Sequence, residues 1–207
     1  MAHHLSGREA HRRLVERLNR FPQGAPPSET LFKILSLLFS EREAALVAQL
    51  PIRHFTAADA ARRWGVSEAH ARETLDGLAS RALLVDSQLD GVTRYVLPPP
   101  MAGFFEFSLM RVRDDLDQQL LAELFYQYLN VEEDFIRSLF ATGTTRLGRA
   151  LVHEPALAPE QLLEVLDWDR ASAIVESASA MAVSLCYCRH KMAHLDRACA
   201  APLDICM

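Results

Sequence analysis

Cysteine is the residue type whose placement in this chain is most informative, because a thiolate can attack electrophiles, exchange disulfides or bind a metal. Four cysteines lie near the carboxyl-terminal end, and no other cysteine precedes them: Cys186, Cys188, Cys199 and Cys206. Their spacing is Cys-x-Cys-x10-Cys-x6-Cys. Four thiolates can complete the ligand set of a tetrahedral metal ion or of an iron–sulfur cluster. The sequence therefore predicts a metal or cluster site in residues 186–207.

Three occupants of this site are compatible with the spacing. A 4Fe–4S cluster needs four thiolates, whereas structural zinc usually uses cysteine pairs separated by about two to four residues. Metal-free thiols that respond to redox state are the third candidate. We expect a 4Fe–4S cluster, with zinc as the alternative. The spacing matches neither of two common ferredoxin patterns, so it leaves all three open.

Basic residues surround the predicted ligands: Arg189, His190, Lys191 and His194. Positive groups lower the pKa of a cysteine and offset the negative charge of a cluster held by thiolates. We expect these four residues to support the site from outside the ligand set, because four cysteines already complete it.

A helix over residues 169 to about 185 should lead into the first cysteine and bury Ile174, Val175, Ala178 and Met181. Residues two apart in a helix point to nearly opposite sides, so Cys186 and Cys188 can share one metal only outside a regular helix. We therefore expect this helix to end at Cys186, with residues 189–205 returning as a loop or short helix.

The composition indicates a globular protein of 207 residues with 50% hydrophobic residues. No apolar run approaches the roughly 20 residues of a membrane-spanning helix, and the amino terminus has no apolar signal-peptide core. We expect a cytoplasmic protein without membrane contact. The formal net charge of -5 at pH 7 argues against coating nucleic acid by electrostatics alone.

Residues 1–27 are expected to form a helical arm and linker. Ser6 and Glu9 have the spacing of a capping box, and Pro22 should stop the helix. The basic residues of this arm are Arg8, Arg12, Arg13, Arg17 and Arg20. We interpret them as a solvated helix face, with contact to a phosphate backbone as the alternative.

Residues 28–100 predict a winged helix-turn-helix module. Ser28 and Ser40 should cap two helices, and Thr56 and Ser67 should cap two more, separated by Gly65. Two strands, residues 83–87 and 92–97, should follow as a hairpin around Asp90-Gly91. Within the longer helix, Ala71, Leu75 and Leu78 should be buried.

The second helix of such a module classically enters the major groove of DNA. Here its outward face would carry His70 and Arg72, but also Glu68, Glu73 and Asp76, and the wing offers only Arg94. Carboxylates facing phosphates disfavour binding. DNA therefore stays a disfavoured partner, with His70, Arg72 and Arg94 as its candidate contacts, and we expect protein contacts or dimerisation instead.

Residues 101–185 predict a helical domain with a second, aromatic-rich core. Leu121, Leu124, Phe125 and Tyr128 have the spacing of a buried helical stripe. Residues 132–134 should be the exposed acidic start of a helix rather than a metal site. Residues 143–149 should form an ordinary turn, and residues 159–166 a further helix.

The run Cys186-Tyr-Cys188-Arg-His-Lys-Met-Ala-His194, followed by Cys199-x2-Pro202-x3-Cys206, resembles a bacterial and archaeal family of 4Fe–4S ferredoxin-type proteins. Residues 100–111 and 124–135 are also similar to that family, whose members carry an amino-terminal winged-helix-like region. The resemblance implies a cluster-binding role in redox metabolism, with Cys186, Cys188, Cys199 and Cys206 as ligands. Family members continue with further cysteine-rich sequence, so the chain is expected to match their amino-terminal portion or to be a short member.

These observations favour a mainly α protein that binds an iron–sulfur cluster and transfers electrons. Its expected partner is a redox protein or a further cluster-binding domain, and a second copy of the chain is also a candidate. A cluster-sensing winged-helix transcriptional regulator and a zinc-stabilised interaction module are the alternatives. No catalytic arrangement of Ser, His, Cys or Asp stands out, so we expect no catalysis by this chain alone, although it could be a component of an oxidoreductase system.

Overall fold

The computed structural model describes residues 2–21, 23–142 and 168–206 of the chain. This part is mainly helical, and its only sheet has two strands. The turn expected at residues 143–149 and the helix expected at 159–166 lie outside the described residues. No helix in the described ranges combines the length and apolar character that crossing a bilayer requires.

The amino-terminal half contains five helices and one hairpin. The helices are α1 (Ala2–Leu18), α2 (Glu29–Leu38), α3 (Glu41–Val47), α4 (Ala57–Trp64) and α5 (Glu68–Ser80). The strands are β1 (Val85–Leu89) and β2 (Val92–Val96). In the remaining described residues the helices are α6 (Phe105–Phe107), α7 (Gln118–Tyr126), α8 (Glu133–Arg137), α9 (Trp168–Ser177) and α10 (Tyr187–Ala193), and the π-helical turns Gln127–Val131 and Ser138–Thr142 extend α7 and α8.

Local capping signals set four of the helix starts as the sequence predicts. The side chains of Ser28, Ser40, Thr56 and Ser67 each accept a hydrogen bond from a backbone N–H in the first turn of α2, α3, α4 and α5. Such a bond satisfies one of the amides that a helix start leaves without a partner. Gly65 ends α4 with φ of 67°, a left-handed conformation that glycine adopts without a steric penalty.

The hairpin packs on α5 through the buried ring of Tyr95. Strands β1 and β2 pair antiparallel from Val85 opposite Val96 to Leu89 opposite Val92, so β1 begins two residues later than predicted. The turn between them has positive φ at Asp90 and Gly91, 53° and 74°, as a type I′ turn requires. The Tyr95 hydroxyl donates to Asp76 at 2.5 Å, so this carboxylate of α5 faces the hairpin.

Helix α1 forms within the segment predicted as a helical arm, and its apolar face is part of the core. It starts at Ala2, so Ser6 lies inside the helix and does not cap it. Leu14 and Leu18 are fully buried, and α1 packs along α3. Arg17, expected on a solvated face, is fully buried and donates to the carbonyls of Leu50 at 3.2 Å and Pro51 at 2.5 Å. Its guanidinium therefore links α1 to the residues that follow α3.

One continuous core runs through both halves of the described chain, so the expected second core does not form separately. The edge-to-face pair of Phe39 and Phe104, 6.1 Å between ring centroids, joins the two halves. Phe105 lies at the centre of an aromatic cluster. The cluster comprises Phe104, Phe105, Phe125, Tyr128 and Phe135. As predicted, Leu121 and Phe125 of α7 are buried, whereas Leu124 of the predicted stripe is half-buried.

The helix predicted over residues 169–185 is shorter and more exposed than expected. Helix α9 ends at Ser177, and none of its residues is buried. Ile174 is 57% exposed and Met181, beyond the helix, is 61% exposed, so the predicted burial of this stripe is wrong. Periodicity alone identifies an apolar face, but burial also requires a surface to cover it.

Replacing Arg17 with Met should lower the free energy of unfolding by about 1–3 kcal/mol, because the buried carbonyls of Leu50 and Pro51 lose their donor. Urea denaturation of the full chain, followed by circular dichroism, measures this change. Arg13→Met is the matched control, since Arg13 is on the same helix with its side chain 58% exposed. It should change stability by less than about 0.5 kcal/mol. Equal effects of the two substitutions would contradict the anchoring role of Arg17.

Candidate cysteine site

Helix α10 begins directly after Cys186, carries Cys188 and is docked on the aromatic core. His190 donates from Nδ1 to the carbonyl of Leu109 at 2.7 Å, and the backbone N–H of Leu185 donates to the carbonyl of Met110 at 3.1 Å. The Tyr187 ring lies edge-on against Phe125, with 6.3 Å between centroids. These contacts fix the segment on both sides of Cys186.

The Cys-x-Cys pair marks the start of a helix, not the end of one as expected. Cys186 is the residue before α10, with φ of -66° and ψ of 110°, and Cys188 lies in the first turn. The thiols are therefore held at a break in helical geometry, which is the condition that lets residues two apart approach one ligand. The predicted helix end at Cys186 is therefore wrong, because the preceding helix α9 already ends at Ser177.

The carboxyl-terminal segment returns alongside the residues that precede α10. Ser184 and Cys206 exchange two backbone hydrogen bonds, of 2.8 and 3.2 Å. The N–H of Cys186 donates to the carbonyl of Leu203 at 2.6 Å. This antiparallel pairing brings Cys206 next to the segment that contains Cys186.

Arg189 connects the third cysteine to the first. Its Nε donates to Cys199 Sγ at 3.3 Å, and Nη1 donates to the carbonyl of Pro202 at 3.3 Å. The Cys186 thiol also lies close enough to interact with this guanidinium. Arg189 thus holds the 199–202 loop against the start of α10.

The Cys188 and Cys199 thiols differ in acidity. The electropositive neighbourhood expected from the sequence would instead lower the pKa of both. The backbone N–H of Ala201 and then the Arg189 guanidinium lower the pKa of the Cys199 thiol. Burial and then the neighbouring Cys186 raise the pKa of the Cys188 thiol, although Lys191 opposes this shift. Cys199 is therefore the better thiolate of the two at neutral pH.

The other basic residues mostly serve the attachment of α10. His190 is buried against the Leu109 carbonyl. Lys191 is also buried, and its Nζ donates to Asn130 Oδ1 at 3.3 Å and lies 5.4 Å from the centre of the Tyr187 ring. Burial lowers the pKa of Lys191 and that of His194. Of the four basic residues predicted to support the site, Arg189 is the one that donates a hydrogen bond to a thiol.

The structure gathers the cysteines in one region but does not close them into a ligand shell. Within residues 2–21, 23–142 and 168–206, no three His, Cys, Asp or Glu side chains are placed to hold a metal ion. Cys188 and Cys199 are exposed, and Cys186 and Cys206 are half-buried. A donor set of four thiols fits a 4Fe–4S cluster or zinc chemically, and a ligated Cys199 sulfur can still accept the hydrogen bond from Arg189.

The candidate nucleic-acid contacts lie on the amino-terminal half, apart from the cysteines. His70 Nε2 is 3.0 Å from the Arg42 guanidinium, and Arg72 donates to Glu68 at 3.0 Å. Arg94 is exposed on β2. Two of these three side chains are therefore engaged within the protein.

Comparisons of the chain with protein-family models, with curated proteins and with solved structures find no match. The chemistry of the site therefore has to be inferred from its own residues.

Sequence reasoning did not identify several residues that shape the site. Tyr187 separates the first two cysteines, and together with His190 and Lys191 it has the helical spacing of one buried face, which is a readable signal. The Ala201 N–H reaches Cys199 through a local turn of the 199–202 loop, whereas the contact of Asn130 with Lys191 comes from the tertiary fold. No sequence pattern indicates them.

Replacing Arg189 with Gln should slow alkylation of Cys199 by iodoacetamide at neutral pH in metal-free protein. The guanidinium favours the thiolate, so its loss raises the pKa of Cys199 and reduces the reactive fraction. Peptide mass spectrometry over time measures the rate at each cysteine. Arg197→Gln is the control, because Arg197 donates to the Tyr126 hydroxyl instead of a thiol. The variants should converge at alkaline pH, and an unchanged Cys199 rate in the Arg189 variant at neutral pH would contradict the assignment.

Proposed function

We propose that this chain is an iron–sulfur protein that binds one 4Fe–4S cluster through Cys186, Cys188, Cys199 and Cys206 and takes part in electron transfer. The observation that carries the proposal is the antiparallel return of residues 203–206 beside residues 184–186, which brings Cys206 close to the start of α10. The hydrogen bond from Arg189 of α10 holds Cys199 near the same helix. The bound cluster would supply a one-electron redox centre. The protein residues would hold it, neutralise its charge and present it to a partner.

Arg189 has the role of a charge partner in this proposal. In the structure its guanidinium stabilises the Cys199 thiolate. A cluster held by four thiolates is negatively charged, so the same guanidinium would offset that charge after Cys199 has become a ligand. Lys191, whose charge opposes the rise in the pKa of Cys188, would add a second positive charge.

Solvent access to the thiols supports an electron-transfer role. Cys188 and Cys199 are exposed, so a cluster at this position would lie near the protein surface. A redox partner protein, or a further cluster-binding domain, could then approach it without a structural opening. Zinc could use the same four thiolates as a structural metal, and metal analysis separates the two.

The amino-terminal half supports the winged-helix-like module that the sequence indicates. Helices α4 and α5 pack together and are followed by a hairpin, and residue 55 pairs with residue 95 of that hairpin. We infer that this module serves protein contacts or homodimerisation. His70 is hydrogen-bonded with Arg42, and Arg72 is paired with Glu68, so both side chains are less available to DNA phosphates. This argues against the regulator alternative.

Protein purified without oxygen should contain about four irons and four sulfides per chain and should absorb visible light. Cys199→Ser should lose most of this iron, because a hydroxyl is a poor replacement for the thiolate ligand. Ala200→Ser is the matched control: it places the same side chain at the next exposed position and should retain the cluster. Iron, sulfide and zinc are measured together with the absorption spectrum.

Two outcomes of the metal analysis would contradict the cluster proposal. One zinc per chain without a chromophore would assign a structural metal to the four thiols. Equal iron content in Cys199→Ser and Ala200→Ser would show that bound iron does not depend on this ligand.

The winged-helix-like module should bind DNA only weakly, with a dissociation constant above about 1 μM at physiological salt, as expected for non-specific electrostatic contact. Fluorescence anisotropy with a pool of random-sequence duplexes measures the affinity and its salt dependence. Arg72→Glu should then leave the signal nearly unchanged, because Arg72 already pairs with Glu68. Selection of a tight, specific duplex whose binding Arg72→Glu abolishes would support the regulator alternative instead.

A further inference from the structure

A basic cleft lies beside α4, on a part of the molecule that the cysteine site does not use. It has a volume of about 420 Å³, within the range of small-molecule sites. The cleft is formed by the connection from α3 to α4 and by one face of α4. Its lining residues are Pro51, Arg53, His54, Phe55, Asp59, Arg62 and Arg63.

The charge of this cleft is strongly positive although the chain as a whole carries a formal net charge of -5. Three guanidinium groups face a single carboxylate, that of Asp59. Asp59 accepts from the backbone N–H of Thr56 at 2.9 Å and from its hydroxyl at 2.8 Å, and it also pairs with Arg62. The only acidic group of the cleft is therefore occupied in capping α4 and in one ion pair.

The other basic side chains keep most of their hydrogen-bond donors available. Among the residues that the structure describes, Arg53 and His54 make no hydrogen bond or ion pair. Arg63 makes one long hydrogen bond, from Nη1 to the carbonyl of Gln49 at 3.4 Å. Arg53 and Arg63 thus contribute two guanidinium groups to one concave surface, and no carboxylate in the described part of the chain forms an ion pair with either.

We propose that this cleft binds the phosphate group of a small phosphorylated molecule. A guanidinium presents parallel N–H donors that match two phosphate oxygens, and two such forks with His54 provide the donors that a phosphate needs. Pro51 and Phe55 supply the apolar part of the wall. The concave shape favours a small ligand over a nucleic-acid backbone, and Arg72 of the neighbouring α5 is already paired with Glu68.

Isothermal titration calorimetry of the full chain with inorganic phosphate, and separately with pyrophosphate, tests the proposal at constant ionic strength. Wild-type protein should bind at least one of these probes. Arg53→Gln and Arg63→Gln, measured singly, should each weaken binding by about tenfold through the loss of charge-assisted hydrogen bonds. Arg137→Gln removes the same charge from an exposed position on α8 and should leave the affinity unchanged.

Exposed arginines tolerate replacement with little effect on stability, so thermal melting should show that both cleft variants are folded. No binding of either probe by the wild type, or equal affinities for all four proteins, would overturn the proposal. So would binding of a DNA duplex that requires Arg53 and Arg63 in protein that binds neither probe, since the cleft would then contact a nucleic-acid backbone.

Discussion

The attachment of α10 to the aromatic core is the interaction on which the cysteine site depends. Tyr187 packs against Phe125, and His190 donates to the carbonyl of Leu109, so two of the three buried residues of α10 are fixed on the core. The neighbouring carbonyl of Met110 accepts from Leu185 on the other side. Because the cysteines themselves are exposed or half-buried, their positions are set by these buried neighbours rather than by their own packing. The core thus determines the position of Cys186 and Cys188. The backbone pairing of Ser184 with Cys206 determines the position of the last cysteine.

Electrostatics then differentiates thiols that the backbone has brought near one another. Cys199 is stabilised as a thiolate by the Ala201 N–H and by Arg189, whereas burial and Cys186 hold Cys188 towards its neutral form. A cluster would require all four sulfurs as thiolates, so its binding would be coupled to proton release, chiefly from the less acidic thiols. Arg189 can compensate charge in both situations, because it lies next to Cys186 as well as Cys199.

Much of the amino-terminal fold could be predicted because its signals are local. The caps at Thr56 and Ser67 and the left-handed Gly65 involve residues within one helical turn, and the structure has all three. The failures concern contacts between distant residues. Arg17 has an ordinary surface residue type, yet it is buried against carbonyls more than thirty residues away. The apolar residues of α9 have helical spacing but no described surface covers them, and the docking of α10 depends on Leu109 and Phe125, far away in sequence.

X-ray absorption spectroscopy at the iron and zinc edges, on full-length protein purified without oxygen, tests the central claim most directly. If the anchored start of α10 presents four thiols to one cluster, iron should have only sulfur neighbours in its first shell and iron neighbours in its second. The protein should contain much less than one zinc per chain. A single zinc surrounded by sulfur, or iron bound mainly through nitrogen and oxygen, would contradict the assignment of these cysteines to a 4Fe–4S cluster.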